Sequence, residues 1–512
     1  MRLAPRRSRR TATTGAAAVV LLMLAGCGVL PQADEPPASG AAEEFAPVEA
    51  ALEPYYTQDV AWEDCEAKFE CANIEVPLDY ADPGGERIEI AAIRSTAGDD
   101  ALGSILLNPG GPGGSGYDTV KNSLAYMTTE TLRGSYDIVG FDPRGVKRSA
   151  PVECLTDREK DEARQVQYDL ESDAGLAQAA EDSAELAQQC AEETGEVLGH
   201  VDTISSAKDL DILRAAVGDP KLNYLGFSYG TFLGATYADL FPERVGRLVL
   251  DGALDPSLSN AEVTLGQAKA FEAAIHSYAE SCLESAACPM DGSADDAVRQ
   301  IRDLIASVED NPMTAADGRL VTVGMFVSGF IVPLYNDQNW PRLTEALAAA
   351  FQGDPTPMLG LSDLGAERQA DGSYTGNATE AFTAINCLDY PMESGLDAMR
   401  EEAQALEEAS PTLGRYLAYG GTTCENWAHE PVRTPAPVKA EGADPILVIG
   451  TTGDPATPYE WAESMAANFE SASLLTFEAE GHTAYSRGNK CVQDAVDGYF
   501  IEGTMPADGT VC

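Results

Sequence analysis

The 512-residue chain predicts an α/β fold: a mainly parallel central sheet flanked by helices, interrupted by a large inserted helical cap. Three observations carry that expectation. From about Ile74, short apolar runs alternate with glycine-rich turns and amphipathic stretches. Several of those runs are apolar at nearly every position, as strands covered on both faces must be. Between the run ending at Leu250 and the one beginning at Ile446, the stretch from about 261 to 419 reads almost entirely as amphipathic helix with polar linkers.

The elements follow in chain order. Residues 1–27, MRLAPRRSRRTATTGAAAVVLLMLAGC, combine an arginine-rich start, a short apolar run and small residues before a cysteine, the layout of an export signal. The tetrad Leu24-Ala25-Gly26-Cys27 resembles a bacterial lipobox, in which the cysteine becomes the lipid-modified first residue. A Pro-, Ala- and Glu-rich stretch over 28–58 then reads as a flexible tether. Lipidated Cys27 would hold the protein on the outer face of the cell membrane, because two or more acyl chains give stable attachment. Plain cleavage and secretion is the alternative. The pair Arg9-Arg10 hints at twin-arginine export, but the residues after it fit poorly, and the route stays open.

Strands are expected at 88–93, 104–108, 136–141, 222–226, 247–250, 446–449 and 473–477, and a helical stretch at 157–194. The first part of the sheet domain then spans 59–260 and the cap 261–433. TPAPVKAEG (434–442) leads into the second part of the core, 434–512.

Setting Cys27 aside leaves ten cysteines, an even number suited to an oxidising compartment. They fall along the chain as neighbours, which suggests the pairs Cys65–Cys71, Cys154–Cys190, Cys282–Cys288, Cys387–Cys424 and Cys491–Cys512. The chain has no CxxC, no Cys/His cluster and only four histidines, so no metal site is expected. Five of the 33 basic residues belong to the export signal, leaving 28 against 83 acidic ones, a net charge near −55. A surface of that sign repels nucleic acid, which is not expected as a partner.

The chemistry starts at LNYLGFSYGTFLG (222–234), where Ser228 stands between two glycines, after an expected strand and before an expected helix. A strand, a sharp turn and a helix around G-x-S-x-G make a nucleophile elbow. The serine takes strained backbone angles that only small neighbours tolerate. The elbow directs the hydroxyl outward and sets the N–H of Tyr229, at the positive end of the helix, beside a developing oxyanion. A serine hydroxyl needs a base, and the elbow predicts an acid and a histidine downstream in that order. GTTGDPATP places Asp454 just beyond one strand, and EAEGHTAY places His482 just beyond the last. Asp251, in LVLDGALDP, is the alternative acid. His200, His276 and His429 fit the base less well, lying in a loop, a cap helix and the segment before the returning linker. SILLNPGGPGGSG turns from a strand into a glycine-proline loop whose bare backbone can approach a substrate, and Gly110 or Gly111 is the expected second oxyanion donor. A phosphate cradle is excluded there by the missing Lys and Ser of that motif. YDIVGFDPRGVKRS puts Asp142, Arg144 and Gly145 in a second turn, read as a buried structural ion pair.

Taken together, NPGGPGGSG, FDPRGVKRS, GFSYG, AINCLD (384–389) and GDPATP before GH resemble the actinobacterial tripeptidyl aminopeptidases, α/β-hydrolase serine peptidases related to prolyl iminopeptidases. The likeness runs from about residue 60 to the C-terminus. In length and layout the chain is also similar to a lipid-anchored serine hydrolase of the mycobacterial cell envelope. The resemblance implies an α/β-hydrolase fold, a Ser228, Asp454 and His482 triad, no cofactor and a cap over the site. It also implies release of short N-terminal peptides from peptide or protein N-termini, together with esterase activity. Where the iminopeptidases have the histidine of HGGPG, this chain has Pro109, which argues against proline-only specificity. Cap carboxylates commonly hold the substrate amine in such exopeptidases, and which Glu or Asp would do so here is left open.

Overall fold

The computed structural model describes residues 48–392 and 395–512. The export signal, Cys27 and most of the tether lie outside the described residues. The tether ends before position 58, however: Glu53–Tyr56 forms a helical turn, and Tyr55 is 2% exposed with its hydroxyl donating to the Pro83 carbonyl at 2.7 Å. An aromatic ring with a partner for its hydroxyl gains more from burial than the short turn costs to order.

The strands are β1 (Glu63–Cys65), β2 (Phe69–Pro77), β3 (Arg87–Ser95), β4 (Ser104–Asn108), β5 (Asp137–Phe141), β6 (Leu222–Phe227), β7 (Val245–Asp251), β8 (Met313–Thr314), β9 (Leu320–Val321), β10 (Ile446–Gly453), β11 (Ala472–Glu480) and β12 (Thr510–Val511). Ten of them form one sheet in the order β1-β2-β3-β5-β4-β6-β7-β10-β11-β12, while β8 and β9 make a small hairpin within the insertion. Pairing is antiparallel from β1 to β5 and parallel from there to β12. This is the α/β-hydrolase fold.

Neighbouring residues along the central strands serve two different cores, because successive side chains leave a strand on opposite faces. Leu106, Val139, Tyr224, Leu248, Leu250 and Val448 pack with helices Thr203–Ala216 and Tyr229–Leu240. Ile105, Leu107, Ile138, Leu225, Val249 and Ile449 pack with helices Gly116–Met127 and Lys490–Glu502. Register then sets the rim: Phe227 and Ile449 both pair with Asp251, and Gly453 pairs with Glu480. The carboxyl ends of β6, β7, β10 and β11 are therefore aligned, and the residues that follow them emerge side by side.

Helices Asn260–Leu283, Ala294–Asp310, Val323–Ile331, Trp340–Ala350 and Thr356–Gly365 share a hydrophobic core of their own. The expected single cap over 261–433 is divided, however. Helix Ala378–Asp389 buries Ala381, Ala384, Ile385 and Leu388 in the core of the sheet domain. Its apolar spacing marks it as amphipathic without naming the partner. All five expected disulfides are formed, and the two closing loops with sequence separations of 36 and 37 restrict the unfolded chain most.

The ion pair expected within FDPRG is instead two separate pairs. Arg144, fully buried, forks onto Asp209 at 2.7 and 2.6 Å and donates to the carbonyls of Pro77, Leu78 and His200. Asp142 accepts from Ser115 and from Arg148 Nη1. Arg144→Leu is expected to lower unfolding free energy by about 3–5 kcal/mol, read as the denaturant midpoint, since it leaves the Asp209 carboxylate buried and uncompensated.

Candidate active site

Ser228 sits between β6 and helix Tyr229–Leu240 at φ 56° and ψ −125°. For a side-chain-bearing residue such angles cost on the order of 1–3 kcal/mol, and the surroundings must hold them. The Ser228 N–H donates to the Asp251 carbonyl at 2.9 Å, while the N–H and Oγ1 of Thr231 donate to the Ser228 carbonyl at 2.8 and 2.6 Å. The flanking glycines are sterically demanded. A Cβ on Gly226 would lie 2.5 Å from the Gly230 carbonyl oxygen, and one on Gly230 would lie 2.8 Å from that of Asn108.

The glycine-proline loop after β4 closes over the serine. A Cβ on Gly110 would stand 2.5 Å from the Phe227 carbonyl oxygen, 2.8 Å from Ser228 Cβ and 3.3 Å from the Tyr229 nitrogen. Gly110 has φ 99°, which a glycine adopts without penalty. Its N–H donates to Asn108 Oδ1 at 2.9 Å, however, which removes Gly110 from the expected oxyanion donors and leaves the N–H groups of Gly111 and Tyr229. The interaction is local, but a sequence cannot show which of two adjacent amides the asparagine takes.

His482 follows β11, and Asp454 follows β10. The His482 Nδ1 lies 2.9 and 2.8 Å from the two Asp454 oxygens, so Nδ1 carries the proton toward the carboxylate. Asp454 is 3% exposed and fully engaged: Oδ1 accepts the N–H groups of Ala456 and Thr457 at 2.9 Å, and Oδ2 accepts Thr457 Oγ1 at 3.0 Å and the Thr483 N–H at 3.2 Å. Burial pushes the imidazole pKa down, but the charge and hydrogen bond of Asp454, with the charge of Asp251, outweigh it. The ring therefore titrates above the usual histidine value. Its Nε2 is buried without a hydrogen-bond partner among the described residues. The ring borders Gly252, where a Cβ would lie 3.1 Å from His482 Cε1; the preceding residue, Asp251, holds the Ser228 N–H. Ser228 and the ring thus both border the end of β7, with no hydrogen bond between them.

Two family models match the chain, one described as a TAP-like protein over residues 410–512 and one as the alpha/beta hydrolase fold over 103–305. Serine protease Hip1 of Mycobacterium tuberculosis is 35% identical over 488 residues, 90% of this chain and 92% of the relative. Carboxylesterase B of the same organism is 35% identical over 504 residues, 95% and 96% of the two chains. Tripeptidyl aminopeptidase of Streptomyces coelicolor is 32% identical over 477 residues, 88% and 86%. The chain belongs to the tripeptidyl aminopeptidase-like α/β-hydrolases. It is a serine hydrolase, as that family's peptidases and esterases are.

In this TAP-like hydrolase the alternative acid, Asp251, has a different task. Its fully buried carboxylate accepts the N–H of Ala484 at 2.9 and 3.1 Å and that of Tyr485 at 2.8 Å, tying the loop after His482 to β7. Burial raises its pKa to about 6 against those bonds. The other histidines lie elsewhere. The His200 carbonyl serves Arg144, His276 lies 3.6 Å from Asp295 within the insertion, and the His429 ring packs on Gly199. The motifs of the sequence assign no role to Thr457 or Thr483. Their signal is position, three residues after the acid and one after the base. Tyr335 of the insertion carries no sequence signal at all. Its carbonyl accepts the His482 N–H at 2.7 Å, and its ring stands edge-on to the imidazole at 5.4 Å. Among the described residues no group of three or more His, Cys, Asp or Glu side chains could hold a metal ion.

Proposed function

We propose that the protein is an exported exopeptidase that releases short N-terminal peptides, tripeptides above all, through an acyl-enzyme on Ser228. The observation that carries this reading is the His482 ring, pinned through Nδ1 to Asp454 and set against Gly252 at the end of β7, with a buried Nε2 that has no partner among the described residues. Ser228 Oγ attacks the carbonyl as Nε2 takes its proton, and the N–H groups of Tyr229 and Gly111 receive the oxyanion. His482 then protonates the leaving amine. Water, deprotonated by the same nitrogen, releases the acid and restores the serine. Asp454 orients the ring and stabilises the imidazolium. The chemistry draws on no cofactor.

The tripeptidyl aminopeptidase relative favours three-residue products, and the esterase relative favours a second reading, hydrolysis of small or envelope-lipid esters. Fragments released from a peptide library decide between them. A ladder of three-residue products supports the exopeptidase, whereas long-chain esters turning over much faster than tripeptide amides would replace it. Cys27 is proposed to anchor the protein to the outer face of the membrane. Palmitate labelling lost in Cys27→Ala tests that part.

Only the neutral ring can take the serine's proton, so kcat/KM is expected to fall as pH drops through the His482 pKa, with the acid limb above that of an ordinary histidine. In Asp454→Asn the charge that raises the pKa is gone while burial remains. The limb of the residual activity should move to lower pH, as a pH profile of both proteins would record.

A further inference from the structure

We infer that Asp389, the last residue of AINCLD and of helix Ala378–Asp389, is a positioning residue for the elbow, acting through Thr203 on Tyr229. The inference rests on Ser228 being the nucleophile. Asp389 is fully buried. Its Oδ1 accepts the Thr203 N–H at 2.9 Å, and its Oδ2 accepts the Thr203 hydroxyl at 2.5 Å. The same Thr203 oxygen is hydrogen-bonded to the Tyr229 hydroxyl. Each hydroxyl has one proton to give. With Thr203 donating to the carboxylate, Tyr229 must donate to Thr203, so the direction of the whole chain is set by Asp389. Tyr229 is the residue after Ser228, and the residue that holds its phenol in place also fixes where its backbone N–H stands beside the serine.

A purely structural role would not call for a charge here. Arg433 donates to the backbone carbonyl of Asp389 at 3.3 Å and lies over the Phe232 and Tyr390 rings, so among the described residues no hydrogen-bonded cation meets the carboxyl itself. An asparagine would serve the Thr203 N–H equally well. Its amide, however, would donate to the Thr203 oxygen, reverse the chain and leave the Tyr229 proton without an acceptor. Burial raises the carboxyl's pKa to about 7, and the two bonds from Thr203 favour the ionised form.

The test is a mutant cycle at about pH 8, where the carboxylate predominates. Asp389→Asn, Tyr229→Phe and the double variant are assayed on whichever small amide or ester the wild type turns over. Each single change is expected to lower kcat roughly tenfold with KM within about twofold of wild type, and the double variant should be no worse than the poorer single. Independent losses that multiply in the double variant, a wild-type kcat in either single, or a change confined to KM would overturn the proposal. Thr203→Val breaks the chain at its middle and should match the singles, whereas Thr203→Ser should restore activity; these two carry the test if Asp389→Asn does not fold. Fluorophosphonate labelling of the wild type keeps the two levels apart. An unlabelled Ser228 defeats the nucleophile reading, whereas a labelled Ser228 with unaffected Asp389 and Tyr229 variants defeats this inference alone.

Discussion

Ser228→Ala is expected to give a folded protein whose kcat is about 10,000-fold or more below wild type. The oxyanion N–H groups and substrate contacts survive the change, so a small rate above water should remain. The fold survives because the elbow is held by its backbone: the Ser228 N–H binds the Asp251 carbonyl, and Thr231 holds the Ser228 carbonyl from two sides. Stability supplies an internal control. At φ 56° both serine and alanine are strained, and glycine is not. Ser228→Gly should therefore be as inactive as Ser228→Ala yet more stable than it by about 1 kcal/mol, read from thermal or denaturant unfolding.

Asp454→Asn is expected to lower kcat by on the order of 10,000-fold with the fold retained. The asparagine carbonyl can still accept the N–H groups of Ala456 and Thr457, which shape the loop. Its amide group would then face His482 Nδ1, which can meet it only as an acceptor. The proton moves to Nε2, and only the minor tautomer can still serve as the base toward Ser228. Asp251→Asn should behave in the opposite way. It removes an acceptor from the amides of Ala484 and Tyr485 and costs stability before it costs turnover. Steady-state kinetics and denaturant midpoints on the two variants separate the roles.

The parallel half of the sheet is legible because its strands are apolar on both faces and end in turns rich in glycine. The strands at the antiparallel end, β1 and β2, are less so: Phe69–Pro77 is buried at alternate positions for part of its length only and carries Glu70, Asn73 and Glu75. The site is legible for a local reason, since G-x-S-x-G, the acid and the histidine each directly follow a strand. What the sequence hides is pairing over long separations. Arg144 meets Asp209 rather than Asp142, and Asp389 meets Thr203 from 186 positions away. The choice between Asp454 and Asp251 depends on which oxygens are already occupied by backbone N–H groups, a matter of register between β7 and the loop after β11.

The central claim is that an activated serine stands at position 228. It is tested most directly by treating the wild type and His482→Ala with a fluorophosphonate and mapping the adduct by peptide mass spectrometry. One stoichiometric adduct is expected, on Ser228, formed far more slowly in His482→Ala. A folded wild-type protein that stays unlabelled, or that carries its adduct on another residue, would contradict it.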